Sequence, residues 1–267
     1  MKDPSRIFNG DETNFYYGPK LGQVVALKGS KNVYEVDMGG VKQNLTVMFT
    51  FSASGTITPP MIIFPNKRLP QSVKDSVPEG WTYALTDNGW MKSETFLLYL
   101  EFVLHPSLIK SGVVFPVIVF VDGHKTHVTY PVSTLCSRLE IVLIALYPNS
   151  TRILQPADVA SFRPLKNLWR YGVLYWRRNH PFMKLRKEDF AAILYTAVEK
   201  LDATTILNGF KACGLFPWDF NAIDYTKCLG KNTHIIDSVE EPEANISEGQ
   251  SEKQISLTLF KKLIGDK

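Results

Sequence analysis

The sequence predicts an α/β domain built on one mixed sheet, with antiparallel strands first and parallel strands after them. Three observations carry this. Val117 to Val121 is a short run of β-branched and aromatic residues, apolar at every position, which suits a strand buried on both faces and is too short for a helix. Residues 21–64 alternate and turn in the manner of hairpin strands. Thr95 to Leu104 carries a helical apolar pattern behind Ser93, so this helix and the strand after Pro116 read as a β-α-β crossover.

Taken in order, Arg6 to Phe15 is a short apolar segment leading into Asp11 and Glu12. Strands are expected at Gln23–Leu27 and Val33–Val36, then a turn at Asp37–Gly40. Gln43–Ser52 is β-rich, Ser54 and Gly55 turn the chain, and Thr56–Phe64 is a further strand broken by Pro59 and Pro60. Residues 65–90 read as an irregular connection, and Ser93 as the N-cap of the crossover helix. Beyond His127, a short helix is expected over Pro131–Leu139 and another buried strand over Glu140–Leu146. Pro156 and Asp158 open a helix reaching about Arg178; Phe190–Leu201 and Ala203–Cys213 are helices closed by Gly214 to Trp218. From Lys231 the polar, acidic sequence predicts a disordered tail, with a weak helix over Ile255–Ile264.

Composition bounds the function. The 267 residues suffice for one large domain with a full core, and 45% hydrophobic with 21% charged residues is ordinary globular usage. No apolar run reaches a membrane span and the first residues are no signal peptide, so a soluble intracellular protein is expected. Cys136, Cys213 and Cys228 are far apart and make no Cys-x-x-Cys pair, which argues against a zinc site or a disulfide framework. The net charge of +4 is unevenly spread: Arg163 to Lys187 holds only basic charges, and Asp237 to Glu252 only acidic ones.

Three carboxylates stand out. Asp122 follows the buried strand at its carboxyl end, the edge where open α/β sheets gather ligands. Asp11 follows a second short apolar segment, and Asp158 stands at a helix start. Taken singly, an Asp after a strand is usually a turn former and an Asp at a helix start usually an N-cap. The segments "NGDETNF", "VFVDGHKTHV" and "PNSTRILQPADVASFRPLK", in this order, resemble the three catalytic blocks of the DDE superfamily endonuclease domain of pogo, Tigger and jerky-like transposases, which are related to mariner elements. The blocks span residues 6–166, and the family's continuation is recognisable to about residue 230.

The resemblance implies an RNase H-like sheet with flanking helices and a helical C-terminal extension, divided as 1–188 for the endonuclease domain, 189–230 for the extension and 231–267 for the tail. It implies Asp11, Asp122 and Asp158 as catalytic and metal-binding residues, holding two Mg²⁺ or Mn²⁺ ions for DNA phosphodiester hydrolysis and strand transfer. Thirty-five residues separate Asp122 from Asp158, room for one helix, one strand and a loop, and an Asp in third place resembles the pogo-type branch. His124 and His127 resemble the family's histidines after the second acid and stand for supporting roles or for plain packing. Gln155 and Pro156 match positions that aim the third acid. Glu12 alternates to the opposite face from Asp11 and is not expected to be a ligand. Gly10 and Gly123 are expected to give room beside the carboxylates.

The basic aromatic run offers Arg163, Lys166, Arg170, Arg177 and Arg178 to DNA phosphates, or is an amphipathic helix whose Trp169, Tyr171, Val173 and Trp176 partly fill the core while its charges are solvated; the two readings are compatible on opposite faces. Phe210, Leu215, Phe216 and Trp218 read as packing residues. Asn14 and Ala157 depart from residues common in the family, and neither removes a ligand. The resemblance implies a helix-turn-helix module ahead of the first block; the 267 residues open almost on that block, which is expected either of a fragment or of a gene that has shed the module. DNA, a homodimer and a nuclear location are the implied partners and place, with no membrane and no small-molecule substrate. The rival readings are a domesticated, non-catalytic nucleic-acid-binding or regulatory protein and a purely structural interaction domain.

Overall fold

Ten residues from Ile7 to Tyr16 form the longest strand, β1, anchored by buried Ile7, Phe8 and Phe15 near its ends, with polar Asn9, Asp11 and Thr13 buried between them. The computed structural model describes residues 2–18, 28–29, 44–181 and 183–228. The expectations at Gln23–Leu27, Val33–Val36, Asp37–Gly40 and from Lys231 onward lie outside these residues. β1 is joined by β2 (Asn44–Ser52), β3 (Met61–Phe64), β4 (Thr82–Leu85), β5 (Val117–Val121) and β6 (Ile141–Ala145) in one sheet of order β4-β3-β2-β1-β5-β6. β1–β2 and β2–β3 are antiparallel; β3–β4, β1–β5 and β5–β6 are parallel. The mixed sheet expected from sequence is therefore present, and β1 and β5 are direct neighbours.

The helices cover both faces. After α1 (Gln71–Asp75), the crossover helix is built from α2 (Ser93–Tyr99), a π-helical turn (Leu100–Leu104) and α3 (His105–Lys110). With α4 (Tyr130–Arg138) it encloses one core around Phe8, Phe96, Tyr99, Leu104, Val119 and Val132. After the short α5 (Thr151–Leu154), a π-helical turn (Ala157–Ser161) runs into α6 (Phe162–Asn179), followed by α7 (Lys187–Glu199) and α8 (Ala203–Ala212). These helices enclose the other core, where Phe15, Trp169 and Phe190 meet edge to face or tilted, with centroids 4.8–6.3 Å apart. Each such aromatic pair adds about 1 kcal/mol beyond its buried area. Helices α6 and α7 thus share one core with the central strand.

Four expectations are corrected. Residues 65–90 are not irregular throughout: they hold α1 and the edge strand β4, each too short to show a period in the sequence. β6 is not buried on both faces. It ends the sheet, and Val142 and Ile144 on one face are exposed, since an apolar run is equally legible from an edge. Ser93 is the first helical residue rather than the cap; Lys92 precedes the helix and the Ser93 hydroxyl instead meets Thr129 Oγ1 at 3.0 Å. Tyr171 and Trp218 lie on the surface, while Trp169, Val173, Phe210 and Leu215 are buried as expected.

Candidate active site

The parallel register of β1 and β5 ends at Asn9 opposite Phe120. Carried on two residues, it brings Asp11 level with Asp122, one strand spacing of about 4.8 Å away. Alternation sends Ile7, Asn9, Asp11 and Phe15 to the α6 face of the sheet, where the turn carrying Asp158 packs. The sequence brings all three carboxylates to this end of the sheet by different devices: mid-strand for Asp11, strand end for Asp122, helix start for Asp158.

Asp11 is buried and accepts the Glu12 backbone N–H at 2.8 Å. Burial pushes its carboxyl well above the usual carboxylate range, and the charges of Asp158 and Glu12 push it further, against hydrogen bonds from Gln155 and Glu12. Asp158 is also raised, by burial first, although Lys166 and a side-chain hydrogen bond with Asp11 pull the other way and Asp122 adds repulsion. Burial and mutual charge thus favour the protonated form at both Asp11 and Asp158.

Asp122 is held differently. Its Oδ1 accepts the His124 backbone N–H at 3.1 Å and faces His127 Nδ1 at 2.6 Å, while Oδ2 has no partner among the described residues. Burial works to raise its pKa, but the hydrogen bond and charge of His127, with help from His124, bring it below the usual range. His127 is 1% exposed, its ring 4.4 Å from that of Phe96, and its Nε2 lies 3.2 Å from Glu12 Oε1. Burial lowers the imidazole's pKa, yet the two carboxylate bonds outweigh it and carry it up to about 10. At neutral pH, then, both ring nitrogens donate. The His124 side chain instead turns outward to Thr126 Oγ1 at 2.8 Å, and its hydrogen bond to Asp122 comes from its backbone N–H.

The arrangement can serve a hard cation in its chemistry: three carboxylates with mutual repulsion, one of them with an oxygen fixed by His127 and the other open. Gln155 adds a buried Oε1 with no partner beside them. The side chains are not drawn in as a finished ligand set. Among the described residues no group of three His, Cys, Asp or Glu stands close enough to enclose an ion. Asp122 is turned toward His127, while burial and neighbouring charge hold the carboxyls of Asp11 and Asp158 above the usual range.

The family model described as DDE superfamily endonuclease matches residues 42–210, which include Asp122 and Asp158. The chain belongs to this family. The DDE endonuclease domain also superposes on the Mos1 strand transfer complex with a TM-score of 0.51, at 15% identity, over 80% of this chain and 53% of that chain. This likeness is one of fold, the RNase H-like mixed sheet. In sequence, the chain is 25% identical over 255 residues to an MFS-type transporter clz9 of Cochliobolus lunatus, covering 93% of this chain and 27% of that protein. The chain therefore spans about a quarter of that curated relative and about half of the Mos1 chain. Among the described residues, no helix is long and apolar enough to cross a membrane.

One residue of the candidate site, Asn9, lies in the first block, but the motif assigns it no role. Asn9 is fully buried, gives its Nδ2 to Phe120 O at 3.1 Å and accepts Ala157 N at 2.9 Å, so one amide ties β1, β5 and the Asp158 turn together. Its signal was a polar residue at a core-facing position two before Asp11. Glu12 does lie on the opposite face from Asp11, as alternation requires, yet His127 links it to Asp122 around the end of β5. Gly10 makes its room on that same far face, where an added Cβ would meet Met48 Cε at 3.0 Å. Gly123 lets the turn pass Leu146 O, 3.0 Å from where a Cβ would stand.

On α6, Arg163, Lys166 and Arg178 are exposed and Arg170 and Arg177 partly so, all within one side of the helix. None of the five makes an ion pair among the described residues, while Lys166 and Arg170 lie over the Phe162 and Tyr171 rings at 6.0 and 5.6 Å. Trp169 and Val173 occupy the buried side.

Proposed function

We propose that this DDE endonuclease domain cleaves DNA phosphodiesters with divalent metal ions, Mg²⁺ or Mn²⁺, and transfers the cut strand, working in the nucleus as a homodimer. The observation that carries the reading is the convergence of Asp11, Asp122 and Asp158 at one end of β1 and β5, with burial and mutual charge raising two of them. Two carboxylates left to themselves in that setting repel by roughly 4 kcal/mol at 4 Å and an effective dielectric of 20.

Asp11, Asp122 and Asp158 are the residues that would hold the ions, which when bound activate the attacking oxygen and stabilise the leaving one. His127 fixes Oδ1 of Asp122 and leaves Oδ2 to face the substrate side. Asn9 keeps the Asp158 turn against the strand that carries Asp11. The unpaired cations of α6 lie along the helix that Asp158 introduces, so phosphates gripped there are presented to the carboxylates, and binding of this kind weakens as salt rises. The Mos1 relative of the same fold is named for a strand transfer complex, which supports the second step. Placement in the pogo, Tigger and jerky-like branch rests on Asp158 as third acid.

The test is Mn²⁺ calorimetry on the full chain and on Asp122→Asn, beside nicking of supercoiled DNA. Binding and nicking present in the first and lost in the second are expected. Metal heats equal in the two proteins would overturn the assignment, and DNA retention without metal binding would point to the domesticated binding protein.

A further inference from the structure

Beside the cationic side of α6 lies a groove that the carboxylate chemistry does not use. It runs between α6 and α7, has a volume of about 830 Å³ and is lined by Tyr171, Tyr175, Trp176 and His180 on one wall and by Ala192 and Thr196 on the other. Small residues make it: Gly172 lets the helices touch, since a Cβ there would stand 2.8 Å from Ile193 Cγ2, and the alanine and threonine leave the space above that contact open. Trp176 and His180 are stacked, with centroids 4.5 Å apart and planes 17° off parallel. Tyr175 is 72% exposed and Tyr171 60%, and the Arg170 guanidinium over Tyr171 steadies that ring.

The charge of the groove selects its occupant. Arg178 and Lys200 reach its rim, and no Asp or Glu lines it. Flat exposed rings beside cations suit a ligand that has both a π face and negative charge. A DNA duplex offers phosphates but keeps its base faces stacked inside; only an unpaired strand presents both.

From this we infer that the α6–α7 groove binds unpaired nucleotides of single-stranded DNA, bases on Tyr171 and Tyr175 and phosphates at Arg178 and Lys200. The inference rests on the reading of DNA as substrate, and not on the metal. Tyr171 lies thirteen residues beyond Asp158, roughly 20 Å along the helix at 1.5 Å per residue, so a strand freed at the carboxylates reaches the groove within a few nucleotides.

The experiment uses the full chain with chelator present and measures anisotropy of a labelled oligothymidylate about twelve nucleotides long, against a duplex of equal length. Tyr171→Ala and Tyr175→Ala are each expected to weaken single-strand binding about tenfold, Tyr175→Phe to keep it, and all three to leave duplex binding within about twofold. Thermal melts check that the exposed substitutions leave the fold intact. Single-strand affinity unchanged in the two alanine variants, with duplex binding intact, overturns the groove and spares the proposed function. No binding of either DNA form to the unaltered chain overturns both. A change in sedimentation with Tyr175→Ala, and none in DNA binding, overturns it in favour of a protein interface.

Discussion

His127 Nδ1 stands 2.6 Å from Asp122 Oδ1, and this contact decides which oxygen of the second carboxylate is held by the protein. The other ring nitrogen faces Glu12, so one buried imidazole balances two acids on opposite faces of the sheet. His127→Ala leaves both without their partner and should cost about 3 kcal/mol, the scale of breaking a buried charged pair. Urea unfolding measures it. His127→Asn, which keeps one donor, should recover part of the loss; a His127→Ala variant within about 0.5 kcal/mol of the parent would show that the bridge holds nothing.

Asn9 should matter as much to the site as a ligand. Asn9→Ala removes two buried hydrogen bonds and strands the Phe120 carbonyl and Ala157 amide, a loss of about 2–3 kcal/mol. Hydrogen exchange adds a local readout. The Ala157 amide should exchange faster in the variant by more than the global destabilisation accounts for, because the turn carrying Asp158 loses its tie to β1. Equal protection in both proteins would refute that tie.

The particular residues show what a linear reading can reach. The run Val117–Val121 and the three carboxylate blocks were legible because each is local: a few apolar residues declare a strand and an adjacent acid marks its end. The adjacency of β1 and β5, needed to bring Asp11 to Asp122, followed from the resemblance and is now seen in the register. The Glu12–His127–Asp122 bridge was not legible, because it joins residues 115 positions apart around a strand end, and alternation alone separates Glu12 from the site. β6 shows the same limit in the core: its composition reports a strand, but only the sheet order reveals that nothing pairs beyond it among the described residues.

Packing of α6 on α7 depends on Gly172. An alanine gains helix propensity of about 1 kcal/mol, yet its Cβ would lie 2.8 Å from Ile193 Cγ2, and both helices are anchored in the core. Gly172→Ala is therefore expected to be a net loss of about 1–2 kcal/mol by overpacking. Ile193→Leu lacks the branch methyl, and the double variant should be more stable than Gly172→Ala alone. Strictly additive losses in a double-mutant cycle would show that the two do not touch.

Cys136 supplies a pH test away from the carboxylates. Burial pushes its thiol from near 9 up to about 11. The folded protein therefore holds this proton more tightly than the unfolded chain does. The corresponding stability is complete below about pH 9 and is lost as pH rises through about 11, a contribution of up to about 3 kcal/mol. Cys136→Ala should flatten the alkaline limb of the stability curve. In the parent, iodoacetamide labelling of Cys136 at pH 8, followed by peptide mass spectrometry, should be slow until the protein unfolds; rapid native labelling would contradict the burial.

At Asp11, stability and function pull in opposite directions. Burial and the neighbouring charges of Asp158 and Glu12 make its carboxylate costly in the metal-free protein. In Asp11→Asn the side-chain carbonyl can still accept the Glu12 N–H, and the amide can donate to Asp158, so the repulsion goes at the cost of the hydrogen bond from Gln155. The metal-free variant should be more stable than the parent by about 1–2 kcal/mol, as is common when a strained functional site is relieved. The same change removes one of the proposed ligands. Mn²⁺ at about a hundred times its dissociation constant should stabilise the parent by about 2.7 kcal/mol and the variant hardly at all, so the two melting curves should cross over as metal is added. A variant that is less stable without metal and equally stabilised with it would show that Asp11 is an ordinary buried acid.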